Sequence, residues 1–194
     1  MQPVRPWRQG RAHHRRARGS GVVRAARLQQ WGGGIALLCM SILAVAAVAG
    51  SALDRSGAVR VGQRFSELAP QAAWTPLNAG PIGHCDYVQA GLLPDGVAMM
   101  VEDDRVVRFD ISDAGPVGPF GIRVGDSEAA ARARLPAGYS VQPHKYGRDG
   151  GTDLYLTWRD PQGEFAVRYE TGEGTVTSMY WGSWDTVQLV EGCA

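Results

Sequence analysis

Between Leu28 and Leu53 the only ionisable side chain is that of Cys39, and Ile35 to Ala49 consists almost wholly of Ala, Val, Leu and Ile. A stretch of this kind leaves the chain few options. At about 1.5 Å per helical residue, roughly twenty such residues cross the ~30 Å hydrocarbon core of a bilayer with their backbone groups bonded internally. A core helix of a soluble domain keeps a polar face, and residues 35–49 offer only Ser41. Residues 32–53 are therefore expected to be a transmembrane anchor or the apolar region of a signal peptide. Ala47-Val48-Ala49 has the small-x-small form that signal peptidase cuts. The basic region before the apolar run, roughly thirty residues, is long for a cleaved leader. Both fates stay open.

The charges point the same way. Residues 1–53 carry eight arginines and no acid, so residues 1–31 are expected to remain cytoplasmic under the positive-inside rule. Arg15-Arg16 lies far from the apolar run and reads as ordinary leader charge rather than a twin-arginine signal. Cys39 lacks the preceding small residues of a lipidation site. Residues 54–194 hold the remaining 12 basic residues against all 19 acidic ones, a net charge of −7, which argues against nucleic acid as a partner. The expected location is the bacterial inner membrane, with the C-terminal domain in the periplasm or outside the cell. If the leader is cut, the protein is periplasmic or secreted. Beyond the apolar run only Cys85 and Cys193 remain, an even number suited to an oxidising compartment, and a disulfide between them is expected.

After a linker at 54–58, residues 59–194 have the length of one domain. Val59-Arg60-Val61-Gly62-Gln63 recurs as Ile122-Arg123-Val124-Gly125-Asp126, each copy leading into a helical pattern. The first helix is expected over 64–69, ending at Pro70. The second is expected over 127–135, capped by Asp126 and ending at Pro136. Alternating stretches then predict strands at 85–90, 97–102 and 106–111, with a turn at Asp103-Asp104, and at 154–159, 165–169 and 176–181, with turns at Pro161-Gln162-Gly163 and Gly172-Glu173-Gly174. Val107, Phe109 and Ile111 are expected to share one face. The fold class is α+β, an antiparallel sheet with short helices on one face. If the recurrence is a duplication rather than coincidence, the halves are 59–112 and 121–194, hinged at the Gly- and Pro-rich residues 112–120.

Candidate chemistry is sparse. His84-Cys85-Asp86 has the composition of a thiol nucleophile with a base, but adjacent strand residues face opposite ways and Cys85 is expected to be oxidised. His84 and His144, with Asp86, Asp149 or Asp153, are competent metal ligands without metal-ligand spacing. A strand-end role for His144 beside Tyr146 is the simpler expectation. Asp149 to Asp153 has the glycines and oxygens of a calcium loop but neither the alternating ligands nor the closing glutamate. Glu102, Asp103 and Asp104 read as a turn. No catalytic or metal residues and no cofactor are assigned. Tyr155, Tyr169, Tyr180, Trp181 and Trp184 cluster late in the chain, where they either fill the core or, on a wet sheet face, form a binding patch.

The fragments Gly96-Val97 with Met99-Met100-Val101, Val106-Val107-Arg108, Gly121 to Glu128, Pro143-His144-Lys145-Tyr146 and Val190-Glu191-Gly192-Cys193 resemble an uncharacterised family of small exported bacterial proteins ending in Val-Glu-Gly-Cys. The resemblance covers roughly residues 57–194 and implies no mechanism. The Val-Gly-x-Ser helix start followed by antiparallel strands is also similar to the helix-plus-sheet modules of the outer-membrane assembly lipoprotein BamE and of the β-lactamase inhibitor protein, a tandem repeat. That similarity implies a partner-binding sheet face. The expectation is a non-enzymatic envelope domain, with the membrane as partner through residues 32–53 and another envelope protein bound through Tyr155, Tyr169, Trp181, Trp184, His144 and Tyr146. The alternatives are a hydrolase or metal-dependent enzyme using His84 or His144, and a structural envelope protein with no tight partner.

Overall fold

A computed structural model describes residues 52–78, 81–148 and 152–193. The expected membrane segment lies outside these residues except for Ala52 and Leu53. Among the described residues no helix is long and apolar enough to cross a membrane. The domain opens with a hairpin, β1 (Arg55–Ser56) and β2 (Val59–Arg60), so residues 54–58, read above as a linker, carry a paired strand beside the buried Leu53. A short helix α1 (Phe65–Leu68) follows, then β3 (Trp74–Pro76), β4 (Cys85–Ala90), β5 (Ala98–Glu102) and β6 (Arg105–Ile111). The second run repeats this order: α2 (Glu128–Arg134), β7 (Ser140–Pro143), β8 (Leu154–Arg159), β9 (Phe165–Gly172) and β10 (Thr175–Ser183), with a terminal turn of helix, α3 (Trp184–Val187).

The eight strands from β3 to β10 form one antiparallel sheet in the order β3-β4-β5-β6-β10-β9-β8-β7. Each four-stranded meander keeps its own sequence order, and the two meet along β6 and β10. Because side chains alternate along a strand, the register sorts whole rows to opposite faces. One row, Val88–Met99–Phe109–Trp181–Val167–Trp158, is apolar throughout. The row beside it, Gln89–Ala98–Asp110–Tyr180–Arg168–Thr157, is mostly polar. The apolar face is the core, covered by Leu53 just before the hairpin, Val59 of β2, Leu68 of α1, Ala131 of α2 and the buried Ile122. Tyr169 is fully buried there, and its hydroxyl donates to the Pro119 carbonyl at 2.7 Å. That bond ties the stretch read as a hinge to the sheet.

The two runs share their hydrogen bonding position by position. Gly62 N–H donates to the Val106 carbonyl and Gly125 N–H to that of Val176, while Val106 N–H returns to Gln63 and Val176 N–H to Asp126. Phe65 N–H finds the Asp104 carbonyl, and Glu128 N–H that of Gly174. Side chains repeat the pattern: Gln63 Oε1 accepts from Arg60 N–H at 2.7 Å, and Asp126 Oδ2 from Arg123 N–H at 2.9 Å. Each final hairpin turns through two residues with positive φ, Asp103-Asp104 and Glu173-Gly174, as a two-residue turn requires. Each final strand carries one extra residue, Val107 in β6 and Thr177 in β10. The first of these bulges corrects the expected alternation in β6, since it turns Val106 into the core in place of Val107. Asp110 stands directly opposite Tyr180, its own counterpart seventy positions on, and Ile111–Met179 mirrors Phe109–Trp181. A local two-fold axis therefore passes between Asp110 and Tyr180.

The helix ends are capped differently. Ser127, not Asp126, caps α2, its Oγ accepting from Ala130 N–H at 3.2 Å, because Asp126 is spent on the Arg123 turn. Helix α1 has no capping side chain of its own. The Asp104 carboxylate reaches in from the β5–β6 turn and accepts from Ser66 N–H at 2.7 Å and Ser66 Oγ at 2.8 Å.

Candidate functional site

The polar face of the sheet holds two arginines that a soluble domain would normally leave in water. Arg108 projects from β6 with only 4% of its side chain exposed. Its Nε and Nη2 grip the Asp110 carboxylate at 3.1 and 2.9 Å, and Nη2 also donates to the Tyr87 hydroxyl. Its Nη1 donates to the Thr186 and Leu189 carbonyls at 3.0 and 2.7 Å. All five guanidinium N–H groups are thus placed, and the plane lies 4.4 Å above the Tyr180 ring. Arg168, from β9, donates to Thr157 Oγ1 at 2.9 Å and to the Gln188 carbonyl at 3.5 Å, over the Tyr155 ring. Three of these acceptors are carbonyls at and just past the end of α3, those of Thr186, Gln188 and Leu189, and the arginines add to the backbone N–H bonds that the Thr186 and Leu189 carbonyls already accept.

The arginines therefore seat the C-terminal residues 184–193 across this face as a strap. Its far end is the Cys85–Cys193 disulfide to β4, with Cα atoms 5.4 Å apart. Gly192 passes under Tyr87 with φ +62°, where a Cβ would lie 2.2 Å from the tyrosine oxygen, so glycine is required for the close approach. Glu191 accepts from Lys145 Nζ at 2.7 Å and from the Tyr146 hydroxyl. The Pro143-His144-Lys145-Tyr146 and Val190-Glu191-Gly192-Cys193 segments, far apart in the chain, thus meet on this face.

Glu170, on β9, is the other hub. Its carboxylate accepts from Ser178 Oγ at 2.7 Å and from the Tyr180 hydroxyl at 3.0 Å, and lies 3.5 Å from His144 Nε2. His144 stacks on Tyr155 with ring centroids 4.4 Å apart. In this cluster the carboxylate stands between serine and histidine, so it does not hand the hydroxyl proton to an imidazole base in the order a serine nucleophile needs. Burial, with the nearby Glu170 charge, pushes the Asp110 carboxyl above its ordinary value despite the opposing pull of Arg108. Burial also pushes the Tyr87 hydroxyl up to about 12. Tyr87, Arg108, Asp110, Glu170, Ser178 and Tyr180 line a cavity of about 200 Å³ walled by Val190 and Glu191. A second hollow of about 280 Å³ shares Tyr87, Asp110 and Ser112 with it and continues over Gln89 and Ala98 to Leu77.

The residues singled out from sequence distribute unevenly. His144, Tyr146 and Tyr155 belong to this face, with Tyr146 62% exposed. Trp184 sits at its margin, packed under Arg159 at 4.3 Å. Tyr169 and Trp181 are core residues of the opposite face and offer a partner no surface; Trp181 Nε1 donates to the Arg55 carbonyl. His84 is exposed and pairs with Asp103, Cys85 is in the disulfide, and Asp86 is buried with its carboxylate on Asn78. These three form no site. Asp153 orders its loop by accepting from Arg148 and Glu173 N–H groups, while Asp149 lies outside the described residues. Among the described residues no three His, Cys, Asp or Glu side chains converge as a metal shell requires. Arg108, Asp110, Arg168 and Glu170 were not singled out from the sequence, where the first three read as the wet half of an alternating strand and Glu170 falls just past the strand expected at 165–169. No family model, curated protein or solved structure matches this chain.

Proposed function

We propose that the chain is an exported envelope protein whose outer domain, built from two copies of one helix-plus-four-strand module, binds a protein partner with the polar face of its sheet. The equivalence of bonds, turns and bulges between the two runs supports the duplication. The basic leader, the apolar run and the Cys85–Cys193 disulfide support export and a position anchored in, or released from, the inner membrane. The observation that carries the binding role is the organisation of this face. Arg108, Asp110, Glu170, Tyr87 and Tyr180 are locked by mutual hydrogen bonds beside an open hollow, which gives a rigid surface that loses little freedom on association.

Site-directed photocrosslinking in intact envelopes tests the role. A photoreactive residue at Ala98 or Ser178, on the polar face, is expected to capture a discrete protein, while one at Arg134, on α2, is not. Equal or no capture from all three positions overturns the binding role and favours a purely structural protein. Protease added to spheroplasts is expected to remove the C-terminal domain; protection of that domain sinks the export assignment.

A further inference from the structure

A cavity of about 530 Å³ lies on the core side of the sheet, between the opening hairpin and the Pro161-Gln162 turn that joins β8 to β9. Its volume is that of a small-ligand site. Leu53, Val61, Trp158, Pro161 and Phe165 wall it, so an occupant meets aliphatic and aromatic surface. Leu53 is buried, whereas Val61, Trp158 and Phe165 pack against the core and stay only partly buried. Trp158 is the last residue of the apolar row that begins at Val88, so the cavity continues the core toward solvent. The rim is polar and carries both signs. Arg60, half exposed, gives Asp54 one N–H bond at 2.8 Å, and Arg55 grips the same carboxylate at 3.0 and 3.1 Å. Asp160, across the cavity, accepts from Phe165 N–H at 3.1 Å.

The place of the cavity in the chain says what reaches it. Ala49, the last residue of the apolar run, stands four positions before Leu53. Four residues span at most about 14 Å, so a run that ends at the bilayer surface keeps the Leu53 wall within reach of the lipid headgroups. Ala52 lines a second hollow, of about 240 Å³, with the half-exposed Val117, so apolar surface gathers where the chain enters the domain. Resting on the membrane-anchored form of the export reading, we propose that the cavity takes one acyl chain of a zwitterionic phospholipid from the anchoring membrane, with the headgroup phosphate on Arg60 and its ammonium toward Asp160. An arginine fork matches phosphate oxygens, and a rim of both signs matches a headgroup of both signs. An acyl chain that leaves the bilayer for the cavity stays in apolar surroundings and covers wall that otherwise faces water. The polar sheet face, on the opposite side, is left to the protein partner.

The test reconstitutes the full chain in phosphatidylcholine vesicles doped with a phosphatidylethanolamine that carries a diazirine at the end of one acyl chain, and maps the photolabelled residues by peptide mass spectrometry. Label is expected within residues 53–61 and 158–165 as well as within the apolar run at 35–49. Val61→Trp, which fills the cavity, is expected to abolish the first label and keep the second. Arg60→Glu, which sets an anion where the phosphate sits, is expected to reduce the cavity label severalfold. An unchanged thermal midpoint excludes misfolding as the cause, and if Val61→Trp does not fold, Arg60→Glu at its exposed position decides. Label confined to 35–49 overturns the lipid site and leaves the anchor standing, as does cavity label indifferent to these variants. Label in neither region overturns the anchored reading and the lipid site together.

Discussion

Arg108 shows how one residue decides the stability of an entire face. Its guanidinium is buried and makes five hydrogen bonds to four residues, Tyr87 on β4, Asp110 on β6, and Thr186 and Leu189 in the strap, all of them lost if the side chain were removed. Arg108→Met is therefore expected to cost about 3–5 kcal/mol in urea unfolding, most of it from leaving the Asp110 carboxylate without its counter-ion. Adding Asp110→Asn to that variant is expected to recover part of the loss, because the uncompensated charge is then gone. At the N-terminus of α2, Ser127→Ala removes the hydroxyl that holds Ala130 N–H and is expected to cost about 1 kcal/mol. An unchanged urea midpoint would show that Asp126, and not Ser127, secures that helix end.

At the scale of elements, the strap is held by arginines along its length and by a covalent bond at its tip. The disulfide closes a loop across a separation of 108 residues, so Cys193→Ser is expected to lower stability by about 2–5 kcal/mol. The same variant is expected to become cleavable within residues 188–193 under limited proteolysis, while the sheet stays protected; equal resistance would show that Arg108 and Arg168 suffice. Much of the sheet was legible in the sequence. Ala98–Glu102 and Arg105–Ile111 alternate around a two-residue turn, and the shared 59–63 and 122–126 fragments mark the two equivalent helix entries. Strand β7 was not legible, because Ser140–Pro143 is an exposed edge with no buried side to impose alternation. Helix α3 and the strap were hidden for another reason. A four-residue helix carries no periodicity, and the contacts that seat it, from Lys145 to Glu191 and from Arg108 to Leu189, are long in sequence and local only in space. Of the candidate site, the meeting of the two motif segments was unreadable for the same reason, although His144, Tyr146 and Tyr155 were singled out.

For the molecule as a whole, its carboxylates set the response to acid. Hydrogen bonds to Ser66 hold Asp104 below its ordinary value of 3.8, the Arg123 N–H does so for Asp126, and the Arg148 and Glu173 N–H groups for Asp153. Each favours the folded state above pH 3.8, and that contribution is lost as the pH falls below it. Asp110 works in the opposite direction. Its raised value makes the folded state the better proton acceptor, so its contribution is full below 3.8 and declines as the pH rises through the folded value. Thermal unfolding followed from pH 7 to pH 2 is expected to show a falling midpoint below about 4, less steep in Asp153→Asn. A flat profile in the wild type would contradict these assignments. The axis between Asp110 and Tyr180 has a further consequence. A side chain at the centre of a two-fold faces its own twin, so a perfectly repeated chain would set two aspartates, or two tyrosines, in contact. Here one is an acid bound by Arg108 and the other a phenol bound to Glu170. At the one place where the two halves face themselves they differ, and the pair of aspartates that identity allowed there, two like charges directly opposite, is avoided.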